Sequence, residues 1–202
     1  LAIDNENGLK VLETMRALTA YMDPDYLTFD ANSIKAEYEA GNTAMMVEWG
    51  SLAGATIDEE GAAEGVVENT VLAAAPTIGG GSIPAVALWW DGFTIAKNIS
   101  DEDAAASFQA MVHGISPEMV AANPGVATWL VAGYEPGPAA VGVIATANAG
   151  ARAYPMQPYM GLLHTALSSE LAEFMAGTED AAQALADVKA AYDTAAREGG
   201  YL

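Results

Sequence analysis

The stretch Ala36-Glu37-Tyr38-Glu39-Ala40-Gly41-Asn42-Thr43-Ala44-Met45-Met46-Val47-Glu48-Trp49-Gly50 contains the transition on which the reading of the fold turns. The spacing predicts a helix from about Asn32, its cap, to Ala40, with Ile34 and Tyr38 on one face. Gly41 stands where a helix closes on a left-handed residue. Ala44-Met45-Met46-Val47 is apolar but too short for a helix, and reads as a buried strand. It runs straight into Glu48 and Trp49, placing a carboxylate and an indole at a strand exit. Such exits are where ligands collect in open α/β sheets.

Toward the N-terminus, Leu9, Leu12, Met15, Leu18 and Met22 recur at three- and four-residue steps, predicting a helix over 5–22 that Pro24 stops. Asp4, Asn5 and Glu6 supply its cap and dipole chemistry. Toward the C-terminus, 51–65 reads as loop with one helical turn, and 66–75 as a strand ending at Pro76. Gly79-Gly80-Gly81-Ser82 is a flexible loop. A phosphate cradle needs a helix and a lysine next, and Ile83-Pro84 follow instead. Residues 85–96 read as a second apolar core strand.

Ser100 caps the next helix, with Asp101, Glu102 and Asp103 in its first turn, Ala105, Phe108, Met111 and Val112 as its buried face, and His113 and Gly114 at its close. Ser116-Pro117-Glu118 opens another, which Asn123-Pro124 ends. Residues 125–137 are irregular, and a helix follows Pro138 and fades near Gly150. Tyr154 to Tyr159 is a rigid loop feeding a helix through Leu162, Leu163, Ala166, Leu167, Leu171 and Met175. Gly177 breaks it, and Thr178 is the expected cap of a last helix reaching about Arg197. The expected class is α/β and helix-rich, with too few strands in these residues for a closed parallel sheet.

The 202 residues are 52% apolar, enough to bury a core. No apolar run approaches the ~18–20 residues of a membrane span. The absence of cysteine excludes disulfides and cysteine metal sites. A net charge of −20 with no basic patch excludes nucleic-acid binding and disfavours anionic membranes. It also favours solubility, and leaves attraction of a cationic ligand open. His113 and His164 are far apart, with no acid at metal-ligand spacing, so no metal site and no cofactor is expected.

The aromatic residues carry the chemistry. Sugars present apolar C–H faces and a rim of hydroxyls, and a cleft answers with flat rings and a few orienting polar groups. Trp49 reads either as such a ring or as core packing. Trp89 and Trp90 alternate across a strand, so one is core. Glu48 and Asp91 are hydroxyl acceptors, although Glu48 also reads as a solvated edge residue. Met45, Met46, Met156 and Met160 read as core filler.

The order of these parts resembles the family 1 extracellular solute-binding proteins of ABC transporters. The run Ala36 to Trp49 looks like that family's aromatic, Gly, Ala-Met, Trp signature. A strand ending in Pro76, a Gly-rich loop into Trp89-Trp90-Asp91-Gly92-Phe93-Thr94-Ile95, the Asn98–Ser107 element, Ser116-Pro117-Glu118 and Gly177 to Leu185 follow in the family's order. The resemblance implies the C-terminal portion of a two-lobed, type II periplasmic-binding-protein-like fold. Residues 1–88 and 151–202 would belong to the C-terminal lobe, and 89–95 would be the hinge or crossing strand. Residues 96–150 would pack on an N-terminal lobe mostly absent from this sequence, a gap filled by a separate chain, strand exchange or an oligomer partner.

The resemblance further implies non-catalytic capture of a small solute, a sugar or oligosaccharide, delivered to a membrane permease. The protein would be periplasmic or extracellular, with a lipid anchor as one arrangement of the full-length form. Two lobes would close by a hinge around the solute. It places ligand contacts in Trp89-Trp90-Asp91 and in the 154–159 loop. The resulting candidate set is Glu48, Trp49, Trp89, Trp90, Asp91, Tyr154, Gln157 and Tyr159. Tyr154 and Tyr159 also read as loop packing. Asp91 stands where small residues are common in the family, so a betaine or polyamine remains an alternative. A glycoside hydrolase using Glu48 and Asp91 is the enzymatic one.

Overall fold

The computed structural model describes residues 1–58 and 60–202. The chain is helix-rich with very little sheet. It divides into two compact units, residues 1–31 with 155–202, and residues 32–154.

In the first unit the longest helix, α9 (Ala181–Glu198), is the spine of the core. Ala184, Leu185, Val188, Tyr192 and Ala196 fall on one face and are buried. Their three- and four-residue spacing makes the stripe, and its alanines let neighbouring helices approach closely. α1 (Glu6–Leu18) brings Leu12, with Leu9 and Met15 beside it, against one end. α7 (Tyr159–Glu170) brings Ala166, Leu162 and Leu163 against the other. α8 (Ala172–Ala176) adds Phe174. Asn5 caps α1, its side-chain oxygen accepting from the Asn7 and Gly8 amides at 2.9 and 3.1 Å.

The end of α8 is closed by the chain's own donors. Gly177 turns left-handed at φ 82°. The Arg16 guanidinium donates to the Phe174 carbonyl at 2.7 Å and to the Met175 carbonyl, and the Tyr26 hydroxyl donates to Met175 at 2.8 Å. Helix ends leave such carbonyls without intrahelical partners. Two expectations are corrected in this unit. The first helix stops at Leu18 and continues as a 3-10 turn over Thr19–Tyr21, so Leu18 and Met22 are exposed. The cap of α9 is Asp180, which accepts from the Ala182 and Gln183 amides at 2.9 and 3.0 Å. Thr178 instead donates to the Glu173 carbonyl at the end of α8.

The second unit opens with α2 (Ala31–Glu39), which starts a residue before the expected cap, so Asn32 lies inside it. Gly41 ends it left-handed at φ 75°. A Lys35–Glu39 ion pair runs along the helix, and the Tyr38 hydroxyl reaches Thr70 Oγ1 at 3.0 Å. A 3-10 turn (Gly50–Leu52) and α3 (Ala53–Thr56) follow, as the expected helical turn in the 51–65 loop. α4 (Asp101–Gly114) is capped by Ser100 and α5 (Pro117–Ala122) by Ser116, both at the expected residues. Pro138–Ala140 leads into α6 (Val141–Asn148).

The expected strands are the main correction. Residues 44–47 form no ladder, and Met45 is 86% exposed. Residues 64–69 are turns, and 70–76 are extended without a strand partner. Of the 85–96 segment only β1 (Ala87–Leu88) is strand, and Phe93 is 70% exposed. β1 pairs in parallel with β2 (Arg152–Ala153), with Ala87 opposite Arg152 and Leu88 opposite Ala153. An extended run becomes a strand only where a neighbour accepts and donates along it. Among the described residues, this two-residue pairing is the only such ladder, apart from an isolated Thr77–Pro84 bridge that closes the Gly-rich loop.

Side chains and close packing stand in for missing strands. Thr146 Oγ1, buried on α6, accepts the Ala75 amide at 3.0 Å and donates to the Gly142 carbonyl at 2.7 Å. Gly142 lets this happen, because a side-chain carbon there would stand 2.8 Å from the Ala73 carbonyl oxygen. The expected buried face of α4 is also corrected. Phe108 is 61% exposed and Val112 is exposed, while Ala104, Ser107 and Met111 are its half-buried positions.

Candidate functional site

The β1–β2 pairing builds the candidate site. Beyond Leu88 the chain continues to Trp89, and beyond Ala153 to Tyr154, whose amide donates to the Leu88 carbonyl at 2.8 Å. Parallel register therefore sets Trp89 beside Tyr154, and their ring centroids lie 4.2 Å apart at an interplanar angle of 46°. Trp49 meets Trp89 edge to face, with centroids 6.0 Å apart and planes 80° apart. Aromatic rings attract in such tilted and perpendicular arrangements because a positive edge meets a negative face. Residues separated by 40 and 65 positions thus form one cluster within the second unit.

Two carboxylates belong to the same stretches. The Trp89 indole Nε1 donates to Asp91 Oδ1 at 3.1 Å, tying the carboxylate to the ring. Asp91 is exposed, and a carboxylate has more acceptor positions than this one bond uses. Glu48 is half-buried, and its Oε1 accepts the Trp49 amide at 2.6 Å. That bond folds Glu48 back on its own backbone next to the Trp49 ring. Trp49 is 57% exposed and Trp89 41%, so the cluster presents ring surface to solvent while Tyr154 is half-buried.

Trp90 is exposed, and its ring lies close against the backbone of Gly92. Neither Trp89 nor Trp90 is a core residue, which corrects the expectation that one would be. Trp129 donates its indole N–H to the Asn123 carbonyl at 3.1 Å. Gln157 and Tyr159 lie in the first unit. The Gln157 amide donates to Pro155 and its carbonyl accepts from Met160, which sets the entry to α7. Tyr159 packs on Tyr201 edge to face, centroids 6.2 Å apart.

The pairing that assembles the cluster had no sequence signal, because two residues are too few for a period to register. Among the described residues no group of three or more His, Asp or Glu side chains is arranged to hold a metal. Among the described residues no helix is long and apolar enough to cross a membrane. No protein-family model matches the chain, and no curated protein matches it.

Proposed function

We propose that this chain is the C-terminal portion of a two-lobed solute-binding protein of the family 1 type, capturing a sugar or oligosaccharide without catalysis for an ABC importer. The observation that carries the reading is the Trp49–Trp89–Tyr154 cluster with Asp91 bonded to its central ring. Partly exposed indole rings suit the C–H faces of a pyranose, and an exposed carboxylate bonded to the central ring suits hydroxyls. The ordered motifs around Trp49 and Trp89 support the family, a secreted location and a permease partner. In such a protein, ligand favours the closed form because only there does it touch both lobes.

The test is a titration of intrinsic tryptophan fluorescence with a panel of neutral hexoses and disaccharides. Capture predicts a saturable change that Trp49→Ala removes, with the sugar recovered intact. Hydrolysis of a glycoside would instead assign Glu48 and Asp91 to catalysis. No saturable response to any sugar would overturn the proposal.

A further inference from the structure

The register of β1 and β2 has a consequence for specificity. Side chains alternate along an extended chain, and Arg152 stands two residues before Tyr154, the spacing that repeats a side-chain direction. Opposite it in register stands Ala87, a small residue, and Trp89 follows two residues after Ala87. Arg152 is exposed, and among the described residues its guanidinium makes no hydrogen bond or ion pair. In a chain with 27 acidic and 7 basic residues, carboxylates are abundant and free guanidinium groups are few. A planar guanidinium presents a rigid fork that matches a carboxylate in bidentate fashion, which an ammonium cannot do.

We propose that Arg152 is a ligand-binding residue of the aromatic cluster and that the solute is an acidic sugar, a pyranose bearing a carboxylate. The inference rests on the capture reading above. The rings take the apolar face of the pyranose, Asp91 takes hydroxyl protons, and Arg152 takes the carboxylate. Asp91 and Arg152 then read different polar groups of the solute, one accepting and one donating. The strong negative field of the chain disfavours anions in general, so the pairing with Arg152 must supply the selectivity.

The experiment measures affinity for glucuronate and galacturonate against glucose and galactose, on the full chain, by tryptophan fluorescence. It compares the unaltered protein with Arg152→Gln and Arg152→Lys, after circular dichroism has shown all three equally folded. The expected result is uronate affinity at least tenfold above that for the neutral hexoses. Arg152→Gln should lose that preference, its uronate affinity falling to the level of its affinity for the neutral hexoses, and Arg152→Lys should recover only part of it. Equal affinity for acidic and neutral sugars, or a preference unaffected by Arg152→Gln, would overturn the assignment of Arg152 and leave sugar capture standing. No saturable binding of any of the four would overturn both.

Discussion

Trp89 and Tyr154 hold their ring centroids 4.2 Å apart across a parallel pairing only two residues long. So short a ladder has little hydrogen bonding of its own, and the rings are part of what keeps it registered. Double-mutant cycles for aromatic pairs give about 0.5–1.5 kcal/mol beyond area burial. Trp89→Ala and Tyr154→Ala, singly and together, should show a coupling energy of that size in urea denaturation. Additive effects would mean that the rings touch without supporting the pairing.

Asp91 should matter for binding and little for stability. Its bond to the Trp89 indole is exposed, so Asp91→Ala should change unfolding free energy by less than about 1 kcal/mol. Its removal should shift the tryptophan emission and weaken sugar binding by tenfold or more. Asp91→Asn, which keeps an acceptor oxygen, should retain the emission spectrum. Calorimetric titration of the three proteins checks this.

The buried hydroxyl of Thr146 accepts the Ala75 amide at 3.0 Å. Thr146→Val keeps the shape and removes the acceptor, leaving a part-buried N–H unsatisfied, which costs about 1–3 kcal/mol. Hydrogen exchange at the Ala75 amide should accelerate in step with the loss. Thr146→Ser should behave nearly as the unaltered chain.

Gly177 is constrained twice. Its backbone is left-handed, which costs an L-residue about 1–2 kcal/mol. Its α-carbon also faces the Arg16 guanidinium so closely that a methyl there would collide with it. Gly177→Ala should therefore lower the melting temperature by more than the backbone term alone, by displacing Arg16 from the Phe174 and Met175 carbonyls. A loss no greater than that of an ordinary left-handed glycine would show that Arg16 moves aside freely.

The Lys189–Asp193 pair on α9, 2.8 Å apart, sets a pH dependence. The hydrogen bond from Lys189 holds the Asp193 carboxyl below its usual range, and the same bond raises Lys189 above its own. A lowered carboxyl stabilises the fold above the ordinary aspartate range, and that contribution is lost as pH falls through the lowered value. A raised ammonium stabilises below the ordinary lysine range and is lost as pH rises through the raised value. Urea midpoints should thus be level at neutral pH and fall at both extremes. Asp193→Asn should flatten both declines attributable to the pair.

Helices and caps were legible in the sequence because their determinants are local. Asn5, Ser100, Ser116, Gly41 and Gly177 act within one turn, through hydrogen bonds or a backbone angle that each residue carries wherever it is placed. At the start of α9 both Thr178 and Asp180 offer an acceptor, so local sequence does not single out the cap. Asp180 takes that role, accepting from the Ala182 and Gln183 amides, while the Thr178 hydroxyl donates to the Glu173 carbonyl.

Strands were not legible, and the reason is physical. An apolar run such as Ala44–Val47 has the composition of a strand, but only a partner's amides and carbonyls make it one. Of the candidate site, the sequence by itself determined the parts: which residues are aromatic, which acidic, and that Asp91 follows closely on Trp89. The tertiary structure alone decided the assembly. It paired Ala87–Leu88 with Arg152–Ala153 and set Tyr154 on Trp89 and Trp49 at its edge. Contacts between residues 40 and 65 positions apart depend on register, and register is a property of two segments together, which neither segment encodes alone.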